Sequence, residues 1–287
     1  MKPAFGLGLK FVGMAALLAA AWPVYGRWTG RHRTRFSYLG SPLSAQSYAQ
    51  LAASPGWSSL VLEVATATKL RGLVRRPASK QASWLLFYPG NDEAQLRTGQ
   101  AFLSRLAENE DLGLAVFAYR GFDSSEGETS LELLSRDAYV VLKLLCQHED
   151  LSPTQMHVAG FSIGGHFAVR AVREAALQQQ PVASLSLLAS VDDIVMVKRS
   201  LWQKLDPGEL YQTRPLLSDV PAPVLVLQGT ADEALNGPKQ GRDIADALGN
   251  RARYEQYEGV THQGLLEHAP ALSAVRALIA EHSRNSG

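Results

Sequence analysis

Ser162 lies in the stretch VAGFSIGGHFAV (158–169), between Gly160 and Gly164. A serine hydroxyl is a poor nucleophile at neutral pH and needs a neighbouring base to take its proton. An apolar, strand-like run leads into this serine and a helical pattern leads out. Gly-x-Ser-x-Gly at such a junction has the form of a nucleophile elbow. The turn is sharp enough to strain the serine backbone, and glycine two positions to either side avoids collisions with neighbouring chain. The hydroxyl is thereby lifted to the N-terminal end of the next helix. Unpaired amide N–H groups and the helix dipole there favour developing negative charge.

Seven histidines are available as the base. His262, in YEGVTHQGLL between the last strand and the last helix, has the right placement. His166 lies a turn beyond Ser162 and points away, and His157 sits in the strand before the elbow. His32, His148, His268 and His282 read as exposed loop or helix residues. The base in turn needs an acid to fix its tautomer and stabilise its charged form. Asp232 follows the apolar run PVLVLQGTA, with Glu233 adjacent. Asp192 and Asp193, after LSLLAS, are rivals at another strand end. Nucleophile, acid and base then follow in the order Ser162, Asp232, His262. A further turn, at Pro89-Gly90, supplies the oxyanion hole. Pro89 has no N–H to donate, so the expected donors are the backbone amides of Asn91 and Ile163.

These residues fall at the ends of short apolar runs, which must be the strands. SWLLFY (83–88), LAVFAY (114–119), QMHVAGF, VASLSLLA, APVLVLQG and ARYEQYEG read as strands; LVLEVATA and LRGLVRRP read as a hairpin. Helical spacing covers 94–107, 131–147, 163–177, 238–248 and 265–279. Continuous apolar strands joined by helical crossovers predict an α/β chain with a mainly parallel sheet and helices on both faces. Ligands in such sheets sit beyond the carboxyl ends of the strands, where the candidate residues are.

The formal net charge of +1 gives no whole-chain argument for nucleic acid. One cysteine, Cys146, excludes an internal disulfide, and no Cys/His cluster has zinc-ligand spacing. Residues 11–25 are uncharged and apolar. Extended back to Ala4, the run carries only Lys10 and approaches the roughly 20 residues that span a bilayer. Arg27, Arg31, Arg33 and Arg35 follow at once and resist translocation. Residues 1–26 are therefore read as a single-pass membrane anchor in preference to a cleaved signal peptide, without fixing the side of the membrane. Residues 27–57 read as a connector and 58–287 as the catalytic domain, with a short cap at about 190–221. Nothing in the sequence specifies an oligomeric state.

Taken together, YPGND (from Tyr88), AYRGFDSSEG (from Ala118), GFSIGG (from Gly160), GTADEA and GVTHQG resemble the α/β-hydrolase superfamily. More narrowly, they are similar to its serine hydrolases of the acylglycerol-lipase, lysophospholipase and serine-aminopeptidase type. The resemblance covers roughly residues 60–283. It implies a three-layer α/β-hydrolase fold, with Ser162, Asp232 and His262 as nucleophile, acid and base. Pro89 stands where these proteins often carry histidine, and Asp123 where glycine is usual. Trp202 and Tyr211 of the cap are placed to roof an acyl pocket. The expected activity is hydrolysis of a small-molecule or lipid acyl ester or thioester, which needs no metal or organic cofactor. Two alternatives stand beside it. A peptidase would need a cap carboxylate such as Glu209 to hold the substrate amine, and a non-catalytic membrane-tethered binding module would need none of the three residues.

Overall fold

A computed structural model describes residues 43–91, 94–193, 212–235 and 237–283. The expected anchor at 1–26, most of the connector, and Trp202, Glu209 and Tyr211 lie outside these residues. No helix among the described residues is long and apolar enough to cross a membrane.

Eight strands form one sheet: β1 (Trp57–Ala65), β2 (Thr68–Arg75), β3 (Trp84–Tyr88), β4 (Gly113–Phe117), β5 (Met156–Phe161), β6 (Ser184–Leu188), β7 (Val224–Gly229) and β8 (Ala252–Tyr257). Their order is β1-β2-β4-β3-β5-β6-β7-β8. Strand β2 runs antiparallel to β1 and β4, and every other pairing is parallel. The expected hairpin is β1–β2, closed by Thr66 and by Ala67 in the left-handed region. Strands β3 to β7 are buried along their whole length, as their unbroken apolar runs require, whereas β1 alternates.

The helices are α1 (Ala45–Ala52), α2 (Gln95–Leu106), α3 (Leu131–Glu149), α4 (Ile163–Leu177), α5 (Lys239–Leu248) and α6 (Ala269–Ser283). Helix α2 packs with α6, and α3 with α4. The chain steps one way from β3 to β4, then crosses back over β3 to β5 and continues to β8. Right-handed crossovers on opposite steps put helices on opposite faces. The reversal also opens a crevice beyond the carboxyl ends of β3 and β5, the place where such sheets bind ligands.

Two local readings change. Helix α1 occupies part of the 27–57 connector. Ser44 caps it by accepting from Ser47 N at 3.0 Å, and its Tyr48 hydroxyl donates to Gly72 O of β2 at 3.0 Å. The last helix begins at Ala269 and not at Leu265; Gln263–Leu266 form a separate 3-10 turn. Pro270 explains the break, since a residue without an N–H fits the first helical turn and no later one.

Candidate active site

Strands β3 and β5 are hydrogen-bonded neighbours with Tyr88 opposite Gly160. That register brings the Pro89–Asn91 turn against the Ser162 elbow. Ser162 joins β5 to α4 with φ 56 and ψ −124, a conformation worth about 1–3 kcal/mol of backbone strain in a residue with a side chain. Its N–H is held by Leu188 O at 3.0 Å, and its carbonyl accepts from Gly165 and Val191. Both flanking glycines are forced by backbone proximity. A Cβ on Gly160 would lie 2.5 Å from Gly164 O, and one on Gly164 would lie 2.1 Å from Tyr88 O.

Asp232 and His262 meet beyond the ends of β7 and β8. His262 Nδ1 lies 2.8 Å from Asp232 Oδ2; the Asp232 side chain is fully buried and that of His262 is 12% exposed. Asp232 Oδ1 accepts from Leu235 N at 2.9 Å. Burial is the largest single influence on the Asp232 carboxyl and pushes its pKa up. The hydrogen bond and charge of His262, the Leu235 N–H and the Gln228 amide together outweigh it, and the net direction is down. An ionised Asp232 accepting at Oδ2 places a proton on His262 Nδ1 and leaves Nε2 free to act as a base. The imidazole packs at a tilt of 42° against Phe161, the residue before Ser162, with centroids 4.7 Å apart. No hydrogen bond joins Ser162 Oγ to His262 among the described residues; the serine has no side-chain capping bond either. Such contacts are often long without substrate and tighten on binding.

Gly90 sits against the same ring: a Cβ there would lie 3.0 Å from Phe161 and 3.4 Å from Ser162 Cβ. Among the described residues neither the Asn91 nor the Ile163 N–H has an acceptor. The turn is tied down by two residues that sequence reasoning missed. Gln95 Nε2 donates to Gly90 O at 3.0 Å, and the Tyr119 hydroxyl donates to Pro89 O at 2.6 Å. Asp123, at the position where glycine is usual, takes φ 41. Its carboxylate accepts from Leu96 N at 2.9 Å and Leu43 N at 3.2 Å, tying that loop to α2 and to the start of the described chain.

The rivals are engaged elsewhere. Asp192 pairs with Arg214 at 2.6 Å, and Asp193 is buried beside it with its backbone paired to that of Gln212. His166 is buried with Nδ1 on Thr213 Oγ1 and Nε2 receiving Arg170 Nε. His157 spends both ring nitrogens on Ser184 and Ser283. Glu233 is exposed. Gln228 of β7 was also missed; it donates to Asp232 Oδ2 at 2.7 Å. A lone amide in the run VLVLQG was the available signal.

Comparison with known proteins follows the same lines. A family profile described as Chlamydia CHLPS protein (DUF818) matches residues 72–195. The chain is 25% identical over 279 residues to protein Rv2307c of Mycobacterium tuberculosis (strain ATCC 25618 / H37Rv), with 95% of each chain covered. It is 27% identical over 184 residues to the uncharacterized peptidase YtmA of Bacillus subtilis (strain 168), covering 58% of this chain and 69% of that one. The solved structure of the Pyrococcus furiosus esterase Pf2001 aligns with TM-score 0.66 at 13% identity, covering 86% of this chain and 97% of that chain. At that identity the likeness speaks for architecture, and together with the strand order and the elbow it identifies the chain as one with the α/β-hydrolase fold.

Proposed function

We propose that the chain is a serine hydrolase that cleaves carboxylic esters through an acyl-enzyme. The observation that carries the reading is the 2.8 Å contact between His262 Nδ1 and Asp232 Oδ2, on an imidazole packed against the residue preceding the elbow serine. In this mechanism His262 Nε2 takes the Ser162 proton as Oγ attacks the ester carbonyl. The Asn91 and Ile163 amides receive the oxyanion, each worth about 3 kcal/mol of transition-state stabilisation. His262 then protonates the leaving alcohol, or the thiol of a thioester. A water then gives a proton to His262 as its oxygen attacks the acyl carbon, and the acid leaves as the bond to Ser162 Oγ breaks and His262 returns that proton to Oγ. Asp232 keeps the imidazole in one tautomer throughout.

Lipid-derived acyl esters are the favoured substrate class. A membrane anchor at 1–26 would keep the site where such esters are concentrated, and a C-terminal reporter fusion tests that placement. The activity itself is tested with the full chain in detergent, on p-nitrophenyl esters of increasing acyl length. Ser162→Ala should fall to background, and a fluorophosphonate should label Ser162 alone; full turnover by the alanine variant rejects the reading. A peptidase reading is supported by the name given to the Bacillus relative. Turnover of aminoacyl p-nitroanilides in preference to esters would favour it, with Glu209 as the residue to replace. A protein that neither labels nor turns over any of these substrates is a binding module.

A further inference from the structure

Gln228 is fully buried in β7, four residues before Asp232. Its Nε2 reaches Asp232 Oδ2 at 2.7 Å, the same oxygen that His262 Nδ1 approaches at 2.8 Å. The amide can face only one way, because its oxygen turned toward an ionised carboxylate would be repelled. In this orientation Oε1 is buried without a hydrogen-bond partner among the described residues. Helix α5 closes over it at Gly241, where a Cβ would lie 2.8 Å from Oε1. A buried carbonyl left unpaired is a standing loss of stability. Leucine or methionine would fill the same space without that loss, so packing does not account for a glutamine here. The bond gained in exchange goes to the carboxylate behind the imidazole.

We propose that Gln228 is a positioning residue of the active site, which fixes the Asp232 carboxylate and shares its negative charge at the oxygen that faces His262. The proposal rests on the reading of Ser162, His262 and Asp232 as nucleophile, base and acid. With Leu235 N holding Oδ1 at 2.9 Å, the carboxylate is gripped at both oxygens and cannot swing away from the ring. Without Gln228, Oδ2 would turn its full acceptor strength on the His262 Nδ1 proton. With the carboxylate held only at Oδ1, the imidazole would lose its fixed orientation toward Ser162.

Several other charged groups on the elements packed around Gln228 have partners of their own, while Asp246 of α5 lies near Tyr254. On α5, Lys239 pairs with Asp243 and Arg242 donates to Gln256. On β8, Arg253 and the Tyr257 hydroxyl both engage Glu255. Beyond β6, Asp192 is held by Arg214. Among the described residues, His262 is the titratable side chain that acts on the Asp232 carboxyl.

The test compares the full chain with Gln228→Met, which fills a similar volume without a donor, and with Gln228→Glu, which as a neutral acid keeps one. The Met variant should lose about tenfold in kcat with KM unchanged. Its His262 Nδ1 proton resonance should move further downfield, a readout that needs no turnover. In the Glu variant the two buried carboxyls cannot both ionise, so the pair keeps one proton through neutral pH and the O–H replaces the N–H. Activity near wild type at neutral pH, lost on the alkaline side, is expected. A Met variant with unchanged kcat and proton resonance overturns the proposal. Should that variant fail to fold, a Glu variant without the alkaline loss overturns it instead. Failure of the wild type to label with a fluorophosphonate rejects the acyl-transfer reading separately, and the resonance of the Met variant still decides whether Gln228 acts on His262.

Discussion

Gln95 Nε2 donates to the Gly90 carbonyl at 3.0 Å, while its own Oε1 accepts from Tyr119 N at 3.0 Å. The Gly90 carbonyl and the Asn91 N–H belong to one peptide plane and point in opposite directions. Holding the oxygen therefore aims the amide assigned to the oxyanion. Gln95→Met should lower kcat by about tenfold to a hundredfold with KM little changed, part of what loss of an oxyanion donor produces. Tyr119→Phe frees only the Pro89 carbonyl and should have a smaller effect in the same direction. Steady-state kinetics on a short-chain p-nitrophenyl ester measure both. Unchanged kcat in the Gln95 variant would show that the turn keeps its shape without this support.

Gly164 is the least replaceable residue of the elbow. An added methyl would clash with two successive backbone carbonyls, 2.1 Å from Tyr88 O and 2.4 Å from Pro89 O. Neither oxygen belongs to a flexible side chain, so β3 and α4 would have to separate. Gly164→Ala should destabilise the protein by about 3 kcal/mol and abolish fluorophosphonate labelling even in the fraction that stays folded. Urea denaturation and labelling of the same preparation check this; a fully labelled alanine variant would mean that the elbow yields easily.

The strands and the main helices were legible because their signals are local. Ile163–Leu177 carries helical spacing behind a glycine-punctuated turn, and β5 is an unbroken apolar run. The residues that steady the site were not legible, because their partners lie far along the chain. Helix α1 is only eight residues long and buries Tyr48 alone; part of its support is the Gln100 amide, which donates to Leu51 O at 2.8 Å. Asp192 and Asp232 both follow apolar strands; Arg214, 22 residues beyond Asp192, occupies the former, and His262, 30 residues beyond Asp232, meets the latter. Gln228 was visible as a polar residue out of place. Its partner was not, because the turn after β7 must first fold Asp232 back toward the strand.

Arg120, from the loop that follows β4, meets Asp137 of α3 in a buried two-pronged pair, with Nε to Oδ2 at 2.8 Å and Nη2 to Oδ1 at 2.9 Å. The side chains are 6% and 4% exposed. Removing one partner leaves the other buried and unpaired, and Arg136 at 3.4 Å is a distant substitute. Arg120→Met should cost about 3–5 kcal/mol in urea unfolding, while Arg120→Met with Asp137→Leu should cost clearly less than the sum of the single changes. Strict additivity would show that the pair contributes nothing as a pair.

His157 should make the fold sensitive to mild acid. It lies at the start of β5, 2.7 Å from Ser184 Oγ and 3.2 Å from Ser283 Oγ of α6. Burial, with repulsion from His282 added, pushes its imidazole from 6.5 down to about 4. Between those values the unfolded chain binds a proton that the native protein refuses. The stability at stake is therefore fully present above pH 6.5 and drains away as the pH falls toward 4. A shift of that size corresponds to about 3 kcal/mol. The depressed Asp232 carboxyl works in the same direction but below the usual carboxylate value, so the two windows separate. His157→Gln keeps an amide for the two serines and has nothing to titrate. Urea midpoints of the wild type should fall steeply from pH 7 to pH 4, and those of the variant should stay nearly level across that range. Equal slopes would move the acid sensitivity to another group.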